Sequence, residues 1–326
     1  MRYKIINQPR ECSLQDYHEV IDEIGALLQK QEGILSVYQI GGMTTPGISD
    51  LDIIAVFKDD VRSGLNPVKK LGEKGQYLFT HACFGISESH LRESQQYTFY
   101  HNYKLLWGKE SFKPARMKPA EETELKEQIA LEFLLANLIS RTTEHHYGIL
   151  NLRSLFLSVK AILFDLEFLG TSSGPLHEMV NQLISYRNRW FSGKVTNEMV
   201  GEWFQDFHQE LEHYCVRAFE KFQMYLPVRE MQYSKHARLY KRAELKIERR
   251  GVMIPPFITA LGGRKLYRLN NRLNNFRFGV PYATSTSSDL LKRRFVFFDK
   301  MYNYNQKHLP HYLALAGIFG GRIKAE

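Results

Sequence analysis

Cysteine and tryptophan are scarce in this 326-residue chain, with three of each. Cys12, Cys83 and Cys215 are odd in number and far apart. That excludes a disulfide framework and a zinc-finger spacing, and it points to a reducing compartment, the cytoplasm. Long apolar runs are missing too. The most apolar long stretch, residues 150–169, carries Arg153, Lys160, Asp165 and Glu167, and the late run HYLALAGIFGG is too short to cross a bilayer, so no membrane span is expected. The opening MRYKIINQPRECS has no apolar signal-peptide core. Neither an internal repeat nor a low-complexity tract is present. A hydrophobic content of 44% excludes disorder.

The length suits two or three domains rather than one core. The formal charge of +9 is unevenly spread: residues 229–294 hold 16 Lys or Arg against four acids, which leaves the remainder slightly acidic. This basic region points to a phosphate-bearing or polyanionic partner, nucleic acid included.

Apolar periodicity divides the chain. Leu14, Tyr17, Ile21, Ile24 and Leu28 predict an amphipathic helix over 13–31. ILSVYQI (34–40), LDIIAVF (51–57) and QYLFTHACFGI (76–86) read as strands, the second buried on both faces, and 88–107 reads as mostly helical. From residue 116 the period becomes helical. A helix over 120–140 is followed by stripes at 152–166 and 176–184 and by a long one from Met199 to Phe222, ending near Pro227. The expected class is α+β: a mixed-sheet domain over 1–115, an all-α bundle over 116–228, and a basic, mostly helical C-terminal region over 229–326.

The stretch GGMTTPGISDLDI (41–53) carries the chemistry. Strand residues alternate in direction, so Asp50 and Asp52 point to one side while Leu51 and Ile53 face the core. Two close carboxylates repel unless a cation lies between them, and Mg²⁺, which favours carboxylate, water and phosphate oxygens, is the usual solution. Gly41 and Gly42 let backbone N–H groups approach phosphates without a Cβ in the way, and Ser49 adds a hydroxyl donor. The residues are those that hold a metal-bound triphosphate.

This arrangement resembles the polymerase-beta-type nucleotidyltransferase superfamily, whose hallmark is a hydrophobic strand, a Gly-Gly or Gly-Ser pair, a short loop, and Asp-x-Asp among hydrophobic residues. VYQI, Gly41, Gly42, Asp50 and Asp52 carry the resemblance, strongly over 34–57 and loosely to about 110. It implies transfer of a nucleoside monophosphate from an NTP, ATP included, to a hydroxyl acceptor with release of pyrophosphate. Asp50 and Asp52 would hold two divalent ions, with Gly41, Gly42 and Ser49 around the phosphates. Members that catalyse transfer usually carry a third acid on a later strand. QYLFTHACFGI has none; His81 stands there as the possible substitute, flanked at a distance by Glu73 and Glu88. The alternative is a catalytically impaired nucleotidyltransferase-fold protein that binds nucleotide or RNA.

Arg264, Arg268 and Arg272 in GGRKLYRLNNRLNNFRF are spaced by four, which predicts one basic helix face entered through a glycine pair, suited to anions or RNA. Arg141 and His146 in RTTEHH are similar in spacing to the Arg-x4-His motif of HEPN-type helical ribonucleases, a short pattern that chance also supplies.

Overall fold

The computed structural model describes residues 3–100, 102–113 and 117–321, apart from the side chains of 256–257 and 259–263. It is a mixed α+β chain, 50% helical and 18% strand. In chain order the elements are β1 (Lys4–Ile6), α1 (Leu14–Gln29), β2 (Ile34–Ile40), β3 (Asp52–Phe57), α2 (Pro67–Lys70), α3 (Glu73–Leu78), β4 (Phe84–Ser87), α4 (Glu88–Ser94) and β5 (Lys104–Gly108). The helical stretch follows: α5 (Pro119–Tyr147), β6 (Ile149–Asn151), α6 (Leu152–Phe168), α7 (Pro175–Arg189) and α8 (Asn197–Lys221). Then come β7 (Met224–Tyr225), β8 (Glu230–Ser234), β9 (Ala237–Lys241), β10 (Lys246–Gly251), α9 (Pro256–Leu273), β11 (Asn274–Val280), β12 (Tyr282–Ala283) and α10 (Asp289–His308).

These elements group into two compact units, and the chain passes between them more than once. One comprises Arg10–Glu121 and Ser288–Glu326, the other Met1–Pro9 and Glu122–Ser287. The expected boundary at 115/116 falls outside the described residues. The boundary expected at 228/229 is replaced by a division near 288.

The first unit is built on a sheet of order β4-β3-β2-β5, with β2 antiparallel to β3 and β5, and β3 parallel to β4. Every residue from Ile53 to Phe57 is fully buried, as the unbroken apolar run requires of a strand covered on both faces. On one face Ile53, Ala55 and Phe57 pack with Tyr17, Val20, Ile24 and Leu28 of α1. A capping box starts α1, in which the Ser13 side chain accepts from the Asp16 N–H and the Asp16 carboxylate accepts from the Ser13 N–H.

Two local expectations are corrected here. The segment 76–86 is not one strand. Its first residues, 76–78, close helix α3, which buries Gly75 and Leu78 three apart, and only Phe84–Ser87 pairs as β4, leaving His81 on the connection. The helix expected over 88–107 stops at Ser94, and the aromatic-rich remainder leads into edge strand β5.

The last 34 described residues belong to this unit rather than to a separate basic region. Arg294 of α10, buried, donates from Nε to the Tyr97 carbonyl at 3.1 Å, and buried Asn305 donates to the Gly85 carbonyl at 2.8 Å. Beyond the helix, Leu313 bridges in parallel to Phe84 at the edge of β4, and Leu309 and Tyr312 enter the core.

In the second unit α5 to α8 supply the expected helices. Residues 224–283, however, hold six strands around the one helix α9 among the described residues, so the C-terminal region is mixed and not mostly helical as expected. β10-β11-β9-β8 form a four-stranded sheet among the described residues, with β11 parallel to β9 and the outer pairs antiparallel. Its buried face carries Phe276, Phe278, Leu239 and Met231. Alternation with Asn275, Arg277 and Arg238 on the other face is the period-two signature of a half-covered sheet. β1 pairs in parallel with β6, and β12 with β7.

Candidate metal and nucleotide site

β2 leaves the sheet at Gly41, whose φ of +74° is the left-handed conformation that a side chain disfavours. The chain returns through residues 43–51 to enter β3 beside it, Ile40 pairing with Asp52. The returning loop is held from within. Tyr17 of α1, fully buried, donates its hydroxyl to the Ser49 carbonyl at 2.6 Å and accepts from the Gly47 N–H at 3.0 Å. Tyr77 of α3 donates to the Gly47 carbonyl at 2.5 Å, and the Leu51 N–H donates to the Leu78 carbonyl. Such a loop presents its carboxylates from a fixed backbone.

Asp50 and Asp52 flank buried Leu51 and are themselves half-buried, as strand alternation requires. Thr80 donates its hydroxyl to Asp50 Oδ2 at 2.5 Å. His81 brings Nε2 to 2.9 Å from Asp52 Oδ1, and its Nδ1 lies 2.8 Å from the Ala82 carbonyl. A carbonyl and a carboxylate both accept, so both ring nitrogens donate, and the geometry is that of an imidazolium. Burial by itself would lower the His81 pKa. The hydrogen bond to Asp52, the Ala82 carbonyl and the charges of both aspartates together outweigh it and raise the pKa above the usual histidine value. One ligand atom each from Asp50, Asp52 and His81 all lie within 4.8 Å of one another, a spacing that one metal ion can span.

The structure thus brings together Asp50, Asp52 and His81, with Gly41 and Gly42 alongside: a Cβ on Gly41 would stand 3.7 Å from Asp52 Oδ2. Ser49 is placed differently from the expectation. It is buried, its Oγ accepts from the Thr45 N–H at 3.2 Å, and its N–H donates back to the Thr45 carbonyl, so it builds the loop instead of presenting a hydroxyl. The flanking acids are engaged elsewhere, Glu73 with Arg10 and Glu88 with Arg92. Sequence reasoning missed Thr80, Tyr77 and the hydroxyl role of Tyr17. Tyr17 was legible as a core position only, because a tyrosine on an apolar stripe carries no mark of where its hydroxyl goes.

The remaining candidates lie in the other unit. Arg264, Arg268 and Arg272 are exposed on α9, but Gly262 and Gly263 fall within that helix, not before it, so the pair supplies no helix N-terminus there. Leu269 and Leu273 of the same helix are exposed as well. Arg141 is buried in an ion pair with buried Glu144 at 2.9 Å, and His146 Nδ1 donates to the Thr142 carbonyl of its own helix. A guanidinium held this way cannot reach a phosphate, which removes the ribonuclease-like reading. No helix among the described residues is long and apolar enough to cross a membrane. Comparison of the chain with models of known families, with curated proteins and with solved structures gives no match.

Proposed function

We propose that the chain is a metal-dependent nucleotidyltransferase of polymerase-beta type, which moves a nucleoside monophosphate from an NTP to a hydroxyl acceptor. The observation that carries this reading is the convergence of Asp50, Asp52 and His81 beside the Gly41 turn, in the α+β unit with the mixed sheet. Cys12, Cys83 and Cys215 form no disulfide among the described residues, which suits a reducing, cytoplasmic setting.

Two carboxylates and an imidazole fit a divalent cation. Carboxylates suit Mg²⁺ and Mn²⁺ alike, whereas a nitrogen ligand favours the later, softer ions over Mg²⁺. Asp50, Asp52 and neutral His81 would hold the ion, which supplies positive charge against the triphosphate and polarises the oxygen bound to it. The chain's own residues do the rest. Gly41 and Gly42 leave room for phosphate oxygens to meet backbone N–H groups, and Thr80 orients the Asp50 carboxylate. The Tyr17 and Tyr77 hydroxyls keep the Asp50 and Asp52 backbone from shifting. His81, neutral once the imidazolium proton is lost, would offer Nε2 to the ion while its Nδ1–H stays on the Ala82 carbonyl, completing the ligand set as a third carboxylate usually does.

The test is pyrophosphate release from each NTP with Mg²⁺ or Mn²⁺ and a panel of hydroxyl acceptors. Turnover that falls at least 100-fold in both Asp50→Ala and Asp52→Ala supports the proposal, and metal-independent or variant-insensitive release rejects it. One observation favours a second reading. Among the described residues no third acid joins the cluster, which is what a protein that binds nucleotide without turnover would show. Metal-dependent NTP binding with no pyrophosphate from any acceptor would select it.

A further inference from the structure

The solvent face of the β8–β11 sheet gathers cationic side chains in register. Register places Glu248, Arg277, Arg238 and Gln232 in one row across four strands, and Arg250 opposite Asn275 in the next. Lys246 and Arg242 complete five cations against two acids, Glu230 and Glu248.

The acids are already engaged. Glu230 pairs with Arg238 at 3.3 Å, and Glu248 with Arg242 at 3.3 Å and Lys246 at 3.4 Å. Arg250 and Arg277 make no ion pair among the described residues. Arg277 is nevertheless held in place, its guanidinium 4.8 Å from the Tyr240 ring centre, with Arg242 at 5.1 Å from the same ring. Between Arg238, Arg250, Arg277 and Asn275 the face dips into an open cavity of about 400 Å³, with Glu230, the ion-pair partner of Arg238, also on its wall. Two guanidinium forks outside any ion pair, Arg250 and Arg277, beside the paired Arg238 on one recess of a rigid sheet, suit phosphate oxygens.

We infer that this sheet face binds a single-stranded nucleic acid through its phosphates. The cations run across successive strands, which lie about 4.8 Å apart, so they offer a track for consecutive phosphates rather than one point. Within strands β8 to β11 no large hydrophobic side chain is exposed, which disfavours a lipid surface. Tyr240 is nearly buried beneath the two guanidiniums, so no aromatic platform stacks bases, and recognition is by backbone charge with little sequence preference. The inference does not rest on the nucleotidyltransferase reading, because every residue in it belongs to the other unit.

The test is fluorescence anisotropy of the full chain with labelled 12-nucleotide oligouridylate and oligothymidylate over 50–300 mM salt. With about three phosphates engaged, log affinity should fall with log salt at a slope near −2, at about −0.7 per phosphate. Both oligomers should bind within about threefold of one another. Arg250→Glu and Arg277→Glu should each weaken binding about tenfold or more with an unchanged melting temperature, and Arg250→Ala should weaken it less. Three results overturn the inference: no binding at 50 mM salt; binding that survives Arg250→Glu/Arg277→Glu but is lost on reversing Arg264, Arg268 and Arg272; or tripolyphosphate that binds more tightly than either oligomer, which would make the recess a small-anion site.

Discussion

His81 Nε2 stands 2.9 Å from Asp52 Oδ1, with its other ring nitrogen anchored on the Ala82 carbonyl. The pair brings an imidazole into the aspartate cluster, which among the described residues has no third acid. Histidine and aspartate there call for different metals. His81→Asp supplies the three-carboxylate set and should shift preference from Mn²⁺ towards Mg²⁺, whereas His81→Ala should weaken both and Mn²⁺ more. Titration of both ions into wild type and the two variants checks this. An unchanged Mn²⁺-to-Mg²⁺ ratio in all three would remove His81 from the ligand set.

Tyr17 ties α1 to the aspartate loop. Tyr17→Phe keeps the ring in the core but leaves the Ser49 carbonyl and the Gly47 N–H without this partner. The expected cost is about 1–3 kcal/mol of stability, read from chemical denaturation. NTP binding should fall as well, because the loop that carries Asp50 loosens. A variant as stable and as tight-binding as wild type would show that the hydroxyl does not hold the loop.

Much of this site was legible before the structure. Alternation in SDLDI put both carboxylates on one side and Leu51 inward, and the structure places them so. The approach of His81 was not legible, because 76–86 reads as a strand by composition while the buried spacing of Gly75 and Leu78 makes its first part helical. Helices with one apolar stripe, α1 and α6 to α8 among them, were found close to their ends. The strands of 230–280 were not. The four-residue spacing of Arg264, Arg268 and Arg272 drew the whole basic region towards a helical reading, while the alternation of Phe276, Phe278 and Val280 with Asn275, Arg277 and Gly279 went unused. The return of α10 to the aspartate unit is a contact between residues about 200 apart in sequence, and no local pattern encodes it.

That return has its own consequence. A chain ending at Ser287 loses Leu309 and Tyr312 from the core of the aspartate unit, and Asn305 from the Gly85 carbonyl. Calorimetry should show the transition of that unit lost or broadened, with the transition of the second unit retained. Retention of both transitions would mean that β4 needs no cover from the C-terminal segment.

Glu144 gives the second unit a defined pH response. Burial raises its pKa to about 7 against the opposing effects of Arg141 and the Asn151 N–H. A carboxyl whose folded pKa lies above its unfolded value near 4.5 stabilises the protein fully below pH 4.5, and that contribution is lost as pH rises to about 7. Glu144→Gln removes the titration. Relative to wild type, the variant should gain up to about 3 kcal/mol between pH 4.5 and 7.5, at about 1.4 kcal/mol per pKa unit. Parallel stability curves for the two proteins would show that Glu144 does not titrate in this range.

The most direct test of the central claim is calorimetric titration of each NTP into the full chain with Mg²⁺, with Mn²⁺ and with chelator, for wild type and Asp50→Ala/Asp52→Ala. NTP binding should require a divalent ion and disappear in the double variant while the melting temperature holds. Binding that is indifferent to metal, or equal in the two proteins, would contradict it.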